Sequence, residues 1–89
     1  VAFEPHERIL DAGCGVGVVA LALACLRGAR AVTGVELQKE LAALARANCA
    51  ANGAESWVTI TAGDLRELSP ALRGKFDIVC ANPPFREVG

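Results

Sequence analysis

The chain has 89 residues, 53% of them apolar, with nine basic and ten acidic side chains for a formal charge of −1. That length forms at most one small domain, burying about 60–65% of its unfolded surface, and much of the apolar share is alanine, which adds little burial per residue. The charge balance leaves no electrostatic footprint for nucleic acid: Arg27, Arg30, Arg46, Arg66 and Arg73 are interleaved with acids, so a surface that grips RNA is expected mostly outside this chain.

Arg8-Ile9-Leu10-Asp11 is a short β-branched and apolar run ending at a glycine-rich turn, and it reads as the first strand. A helix follows from about Val16 to Arg27, apolar nearly all round as befits a helix packed tightly on a sheet, with Gly28 as its stop. Ala31-Val32-Thr33-Gly34-Val35 is the second strand, a continuous run suited to a parallel sheet covered on both faces. The second helix spans about Gln38 to Ala51, with Leu41, Leu44, Ala45 and Cys49 on one stripe, and Asn52-Gly53 is its C-cap. Trp57 to Thr61 alternates as a third strand. Leu65 to Leu68 forms a weak turn of helix, which Ser69 as N-cap and Pro70 at the first helical position then restart. Phe76 to Ala81 is the fourth strand, ending at Asn82-Pro83-Pro84-Phe85.

This β-α-β-α-β-α-β order implies right-handed crossovers and a parallel sheet. The expected fold is α/β, a Rossmann-like doubly wound sheet in the order 3-2-1-4, with ligands over the carboxyl ends of the strands. Cys14, Cys25, Cys49 and Cys80 lack C-x-x-C spacing and sit in apolar stretches, which favours buried free thiols in a reducing compartment over a metal site or disulfides. The apolar run from Val16 to Leu26 falls well short of the ~20 residues that span a bilayer. No basic-then-apolar leader opens the sequence, so a cytoplasmic location is expected. His6, the lone histidine, reads as a surface residue.

Asp11, Glu36, Asp64 and Asn82 fall at or just past the ends of the four successive strands, so this topology would line one crevice with all four. Gly13, Gly15 and Gly17 let backbone approach a ligand closely. Their G-x-G-x-G spacing differs from the G-x-G-x-x-G dinucleotide pattern, since position 18 is valine. With Asp11 ahead of it, the turn better suits a zwitterionic amino-acid tail than a pyrophosphate. Glu36 either accepts both hydroxyls of a ribose or caps the second helix, and Leu37 could cover one face of an adenine. Asp64 either accepts from an exocyclic amine, with the Leu65 N–H donating to a ring nitrogen, or N-caps the next helix; the two roles are compatible. At the last strand, the Asn82 side-chain oxygen and the Pro83 carbonyl can both accept from one planar –NH2 group. Pro83 and Pro84 remove competing donors, and Phe85 offers a stacking face.

On these residues the chain resembles the class I S-adenosylmethionine-dependent methyltransferases, from Arg8 to Phe85. Asp11 to Gly17 looks like the first motif of that family, Glu36 like its ribose-binding acid, and Gly63-Asp64-Leu65 like its adenine-binding motif. Asn82-Pro83-Pro84-Phe85 is similar to the amino-methyltransferase motif of enzymes acting on adenine N6, guanine N2, cytosine N4 or a glutamine side chain. Gly34-Val35-Glu36-Leu37-Gln38 and Gly63 to Leu68 are most similar to the bacterial tRNA adenine-N6 methyltransferases, which modify a valine tRNA beside its anticodon. The resemblance implies S-adenosyl-L-methionine as cofactor, an RNA substrate, no metal and no membrane. Residues 1–89 would be the cofactor-binding domain, an N-terminal part holding only the first four strands of the full sheet. The alternatives are guanine-N2 methylation of ribosomal RNA, glutamine-N5 methylation of a protein, or a truncated non-catalytic module that self-associates through its open sheet edge. A nicotinamide oxidoreductase is disfavoured by the glycine spacing.

Overall fold

A computed structural model of the chain describes residues 3–81, apart from the side chain of Ser69. Its elements are β1 (Arg8–Ala12), α1 (Val18–Arg27), β2 (Ala31–Glu36), α2 (Lys39–Ala51), β3 (Val58–Ala62), α3 (Leu65–Leu72) and β4 (Ile78–Ala81). The strands form one sheet in the order β3-β2-β1-β4, as the sequence pattern predicts. Every pair is parallel, with Asp11 opposite Gly34 and Cys80, and Glu36 opposite Ala62. All four strands therefore end at one edge of the sheet and begin at the other.

Burial separates central strands from edge strands. In β1, Ile9, Leu10 and Asp11 are buried in succession, and β2 is buried from Gly34 through Glu36. β4 instead alternates half-buried with exposed residues, and β3 leaves Thr59 exposed, because an edge strand lacks cover on one side. The core lies between the sheet and the first two helices: Ile9, Val32, Val58 and Ile60 meet Ala20, Leu23 and Ala24 of α1 and Ala42, Ala45 and Cys49 of α2. Alanines at these positions let the helices approach the strands closely.

Several local expectations are corrected. α1 begins at Val18 rather than Val16, because Gly17 holds a left-handed conformation (φ 88°) as its N-cap. The outer face of α1 is not covered: Val18 is 66% and Leu26 79% exposed, since α1 packs on one layer only. The buried stripe of α2 runs through Ala42, Ala45 and Cys49, and Leu44 points to solvent. Cys25 is exposed, unlike Cys14 and Cys49. α3 is one continuous helix with Pro70 inside it, not a turn restarted at Ser69-Pro70. Leu65, Leu68 and Leu72 recur at helical spacing and give α3 an apolar face that outweighs the one N–H that Pro70 lacks. Leu65 and Leu72, with Leu10, Phe76 and Val79, line an apolar hollow of about 270 Å³ between α3 and the sheet. β4 starts at Ile78; the backbone N–H of the preceding Asp77 donates to the Arg8 carbonyl at 2.8 Å.

Candidate functional site at the carboxyl edge of the sheet

Backbone chemistry builds the site. The turn after β1 hangs from β2: the N–H groups of Gly13 and Cys14 both donate to the Val35 carbonyl, at 2.8 and 2.9 Å. Gly13, Gly15 and Gly17 all have positive φ, at 75°, 57° and 88°, a region that side-chain-bearing residues enter at a cost of roughly 1–2 kcal/mol each. A Cβ at Gly13 or Gly15 would meet no atom within 4 Å, whereas one at Gly17 would lie 3.2 Å from the Ala45 Cβ. The first two glycines thus border open space, and the third is needed for helix packing.

Glu36 closes the frame. Its Oε1 accepts from the Gly15 N–H and its Oε2 from the Gln38 N–H, both at 2.8 Å, and its backbone carbonyl accepts from the Gly63 N–H at 2.9 Å. One residue therefore ties the glycine turn, the start of α2 and the end of β3 together. Each carboxylate oxygen keeps a lone pair beyond the bond it accepts, so Glu36 can hold this frame and still receive hydroxyl groups. Glu36 is itself buried, at 7% exposed. Pairing Glu36 with Gly15 was not legible in the sequence, since the two stand 21 positions apart. The same is true of the Asn48 amide, which donates to the Val16 carbonyl at 2.9 Å and anchors the turn to α2.

Asp11 is 2% exposed, and its Oδ2 has no hydrogen-bond partner among the described residues. Burial raises its carboxyl above the ordinary carboxylate range. Cys14 sits beside it, its thiol pushed up to about 11 by burial and by the nearby charges of Asp11 and Glu36. It is accordingly an inert packing group at neutral pH. A buried carboxylate oxygen with no partner is costly.

Asp64 does cap α3, as one of the two expected roles requires. Its Oδ1 accepts from the Arg66 N–H at 2.9 Å, and the Arg66 guanidinium reaches Oδ2 at 2.9 Å. That pairing holds the Asp64 carboxyl below its usual range. Leu65, the first residue of α3, has an N–H with no acceptor inside the helix. Leu37 is 65% exposed between β2 and α2, an apolar side chain at the carboxyl edge of the sheet. The structure thus brings Asp11, Gly13, Gly15, Gly17, Glu36, Leu37, Asp64 and Leu65 to one edge of the sheet. Asn82, Pro83, Pro84 and Phe85 lie outside the described residues. Among the described residues no group of three His, Cys, Asp or Glu could hold a metal ion, and no helix is long and apolar enough to cross a membrane.

Comparison with known proteins finds methyltransferases in both sequence and fold. A tRNA1(Val) (adenine(37)-N6)-methyltransferase of Citrobacter koseri is 39% identical over 84 residues, which is 92% of this chain and 34% of that protein. Ribosomal RNA small subunit methyltransferase C of Klebsiella pneumoniae is 35% identical over 88 residues, 94% of this chain and 24% of that one. In the crystal structure of TrmN from Thermus thermophilus, 90% of this chain superposes on 24% of the other with a TM-score of 0.76 and 34% identity. The chain spans about a third of the length of the tRNA-modifying relative. The methyltransferase small domain family matches residues 2–89, and the chain belongs to that family.

Proposed function

We propose that residues 1–89 form the S-adenosyl-L-methionine-binding domain of an N-methyltransferase acting on an exocyclic amine, adenine N6 of a tRNA first among them. The observation that carries this reading is the unpartnered, buried Oδ2 of Asp11 beneath a glycine turn with open space at Gly13 and Gly15. A cationic amino-acid tail satisfies that oxygen. Glu36 accepts ribose hydroxyls on its remaining lone pairs, while Leu37 covers an adenine face. Asp64 accepts from the adenine amine and the Leu65 N–H donates to the ring. The bound cofactor supplies an activated methyl group on sulfur.

The target amine is a weak nucleophile because its lone pair is delocalised into the ring. In this reading the Asn82 oxygen and the Pro83 carbonyl accept its two hydrogens and draw the nitrogen toward tetrahedral geometry. The contribution is positioning, aided by two acceptors where positive charge develops on nitrogen. Pro84 keeps the pocket free of a competing N–H, and Phe85 stacks on a base that must be unpaired or flipped out. The names and identities of the relatives support the tRNA substrate. Methylation of ribosomal RNA is the second reading, favoured by a ribosomal RNA relative at nearly the same identity. β4 is an edge strand of the described sheet and would take a further strand, from this protein or a second copy.

Titration calorimetry with S-adenosyl-L-methionine and separately with NAD tests the cofactor. Binding of the first and not the second is expected, and preference for NAD, or binding of neither, overturns the proposal. Mass spectrometry of tRNA and ribosomal RNA incubated with protein and donor then separates the two substrates by which gains a methyl group.

A further inference from the structure

The opposite edge of the sheet, where the strands begin, carries a second hollow of about 300 Å³. Arg8 at the start of β1, Arg30 just before β2 and Lys75 ahead of β4 all line it. So do the hydroxyl-bearing Thr33, Ser56 and Thr59 and the rings of Trp57 and Phe76, and no carboxylate is among the lining residues. In sequence these cations look balanced, because Glu7 precedes Arg8 and Asp77 follows Lys75 by two positions. Parallel strand order gathers them at one pole.

We infer that this hollow is a phosphate-binding site, distinct from the carboxyl-edge crevice and independent of the function proposed for it. Asp77 engages Arg8 at 3.4 Å and offsets its charge, which leaves Arg30 and Lys75 as the principal cations. The Arg30 guanidinium lies 4.5 Å from the centroid of the Trp57 ring. One Arg30 N–H donates to the Ala29 carbonyl at 3.4 Å; stacking of this kind holds the planar fork in place, and its remaining in-plane N–H groups are suited to phosphate oxygens. Lys75 adds a point charge, and the neighbouring hydroxyls add neutral donors. The volume matches the lower end of small-ligand pockets, about 300–1,000 Å³. A phosphodiester of an RNA strand and a free phosphate compound share this chemistry.

Trp57 is the lone tryptophan, so its emission reports on the hollow directly. Pyrophosphate and, separately, a short single-stranded oligouridylate are titrated at low salt against the chain and its Arg30→Gln and Lys75→Gln variants. Fluorescence and calorimetry are both read, since Arg30→Gln alters the emission by itself. Saturable binding of at least one probe is expected, weakened about tenfold by either substitution and by added salt. Binding of pyrophosphate alone identifies a free phosphate ligand; binding of the oligonucleotide identifies a strand backbone. Failure of both probes, or variants that bind as tightly as the parent, overturns the inference. Circular dichroism and S-adenosyl-L-methionine affinity should be unchanged in both variants, so loss of this site and loss of the crevice are told apart.

Discussion

The two edges of the sheet have opposite chemistry although the same four strands make both. Asp11, Glu36 and Asp64 gather where the strands end; Arg8, Arg30 and Lys75 gather where they begin. The carboxyl edge is built by backbone: three glycines in left-handed conformation, and N–H groups held by Val35 and Glu36. The amino edge is built by long exposed side chains and two rings. A net charge of −1 hides this separation entirely, so formal charge is a poor guide to what either pole of a parallel sheet will bind.

The largest expected effect tests whether the last strand end belongs with the other three. Asn82→Ala should lower turnover by roughly 10²–10³-fold in a methyl-transfer assay while calorimetry finds cofactor affinity little changed; a variant keeping most of its rate removes Asn82 from the reaction. Next comes Glu36→Ala, which deletes acceptors for Gly15 and Gln38 as well as for a ribose. Cofactor affinity should fall by on the order of 10²-fold, and Glu36→Gln should recover only part of it. Equal affinities for Glu36→Ala and the parent would reduce Glu36 to a structural clamp.

Asp11 sharpens the contrast through pH. Its folded carboxyl titrates above the unfolded value, because burial disfavours the charge. The contribution to stability is therefore full below about pH 3.9 and is lost as pH rises through the folded value. Asp11→Asn should flatten that slope in urea unfolding and add on the order of 1 kcal/mol near neutrality, while cofactor affinity drops. In the parent, affinity should climb with pH over the interval in which Asp11 ionises. The smallest effect belongs to the amino edge. Asp77, held low by the Arg8 N–H and guanidinium, contributes stability that is present above the unfolded value and fades as acid protonates it. Asp77→Asn should shift the melting temperature only slightly, since the pair is exposed, and should tighten phosphate binding at the neighbouring hollow by freeing Arg8.

Much of this was legible in the sequence for definite reasons. Strand and helix types followed from apolar runs and from Gly28 and Asn52-Gly53, and the order 3-2-1-4 followed from alternation of the elements. Gly13, Glu36 and Asp64 could be placed at one edge of the sheet because each falls at or just past the end of a strand. Pro70 misled because local turn chemistry points to a helix start, while the Leu65-Leu68-Leu72 face carries α3 through it. Leu44 misled because Ala42 sits on the same helix and faces the sheet instead. The Glu36 clamp, the Asn48 anchor and the cluster of Arg8, Arg30 and Lys75 depend on residues far apart in the chain. No local pattern encodes such pairs.

Under the proposed function, the buried and unshared oxygen of Asp11 would also act as a filter. Nucleotides carrying two or three phosphoryl groups are abundant in every cell, and each would bring negative charge against Asp11. Juxtaposing like charges costs several kcal/mol. The turn can thus discriminate against ATP and NAD by repulsion, before any favourable contact with its own ligand is counted.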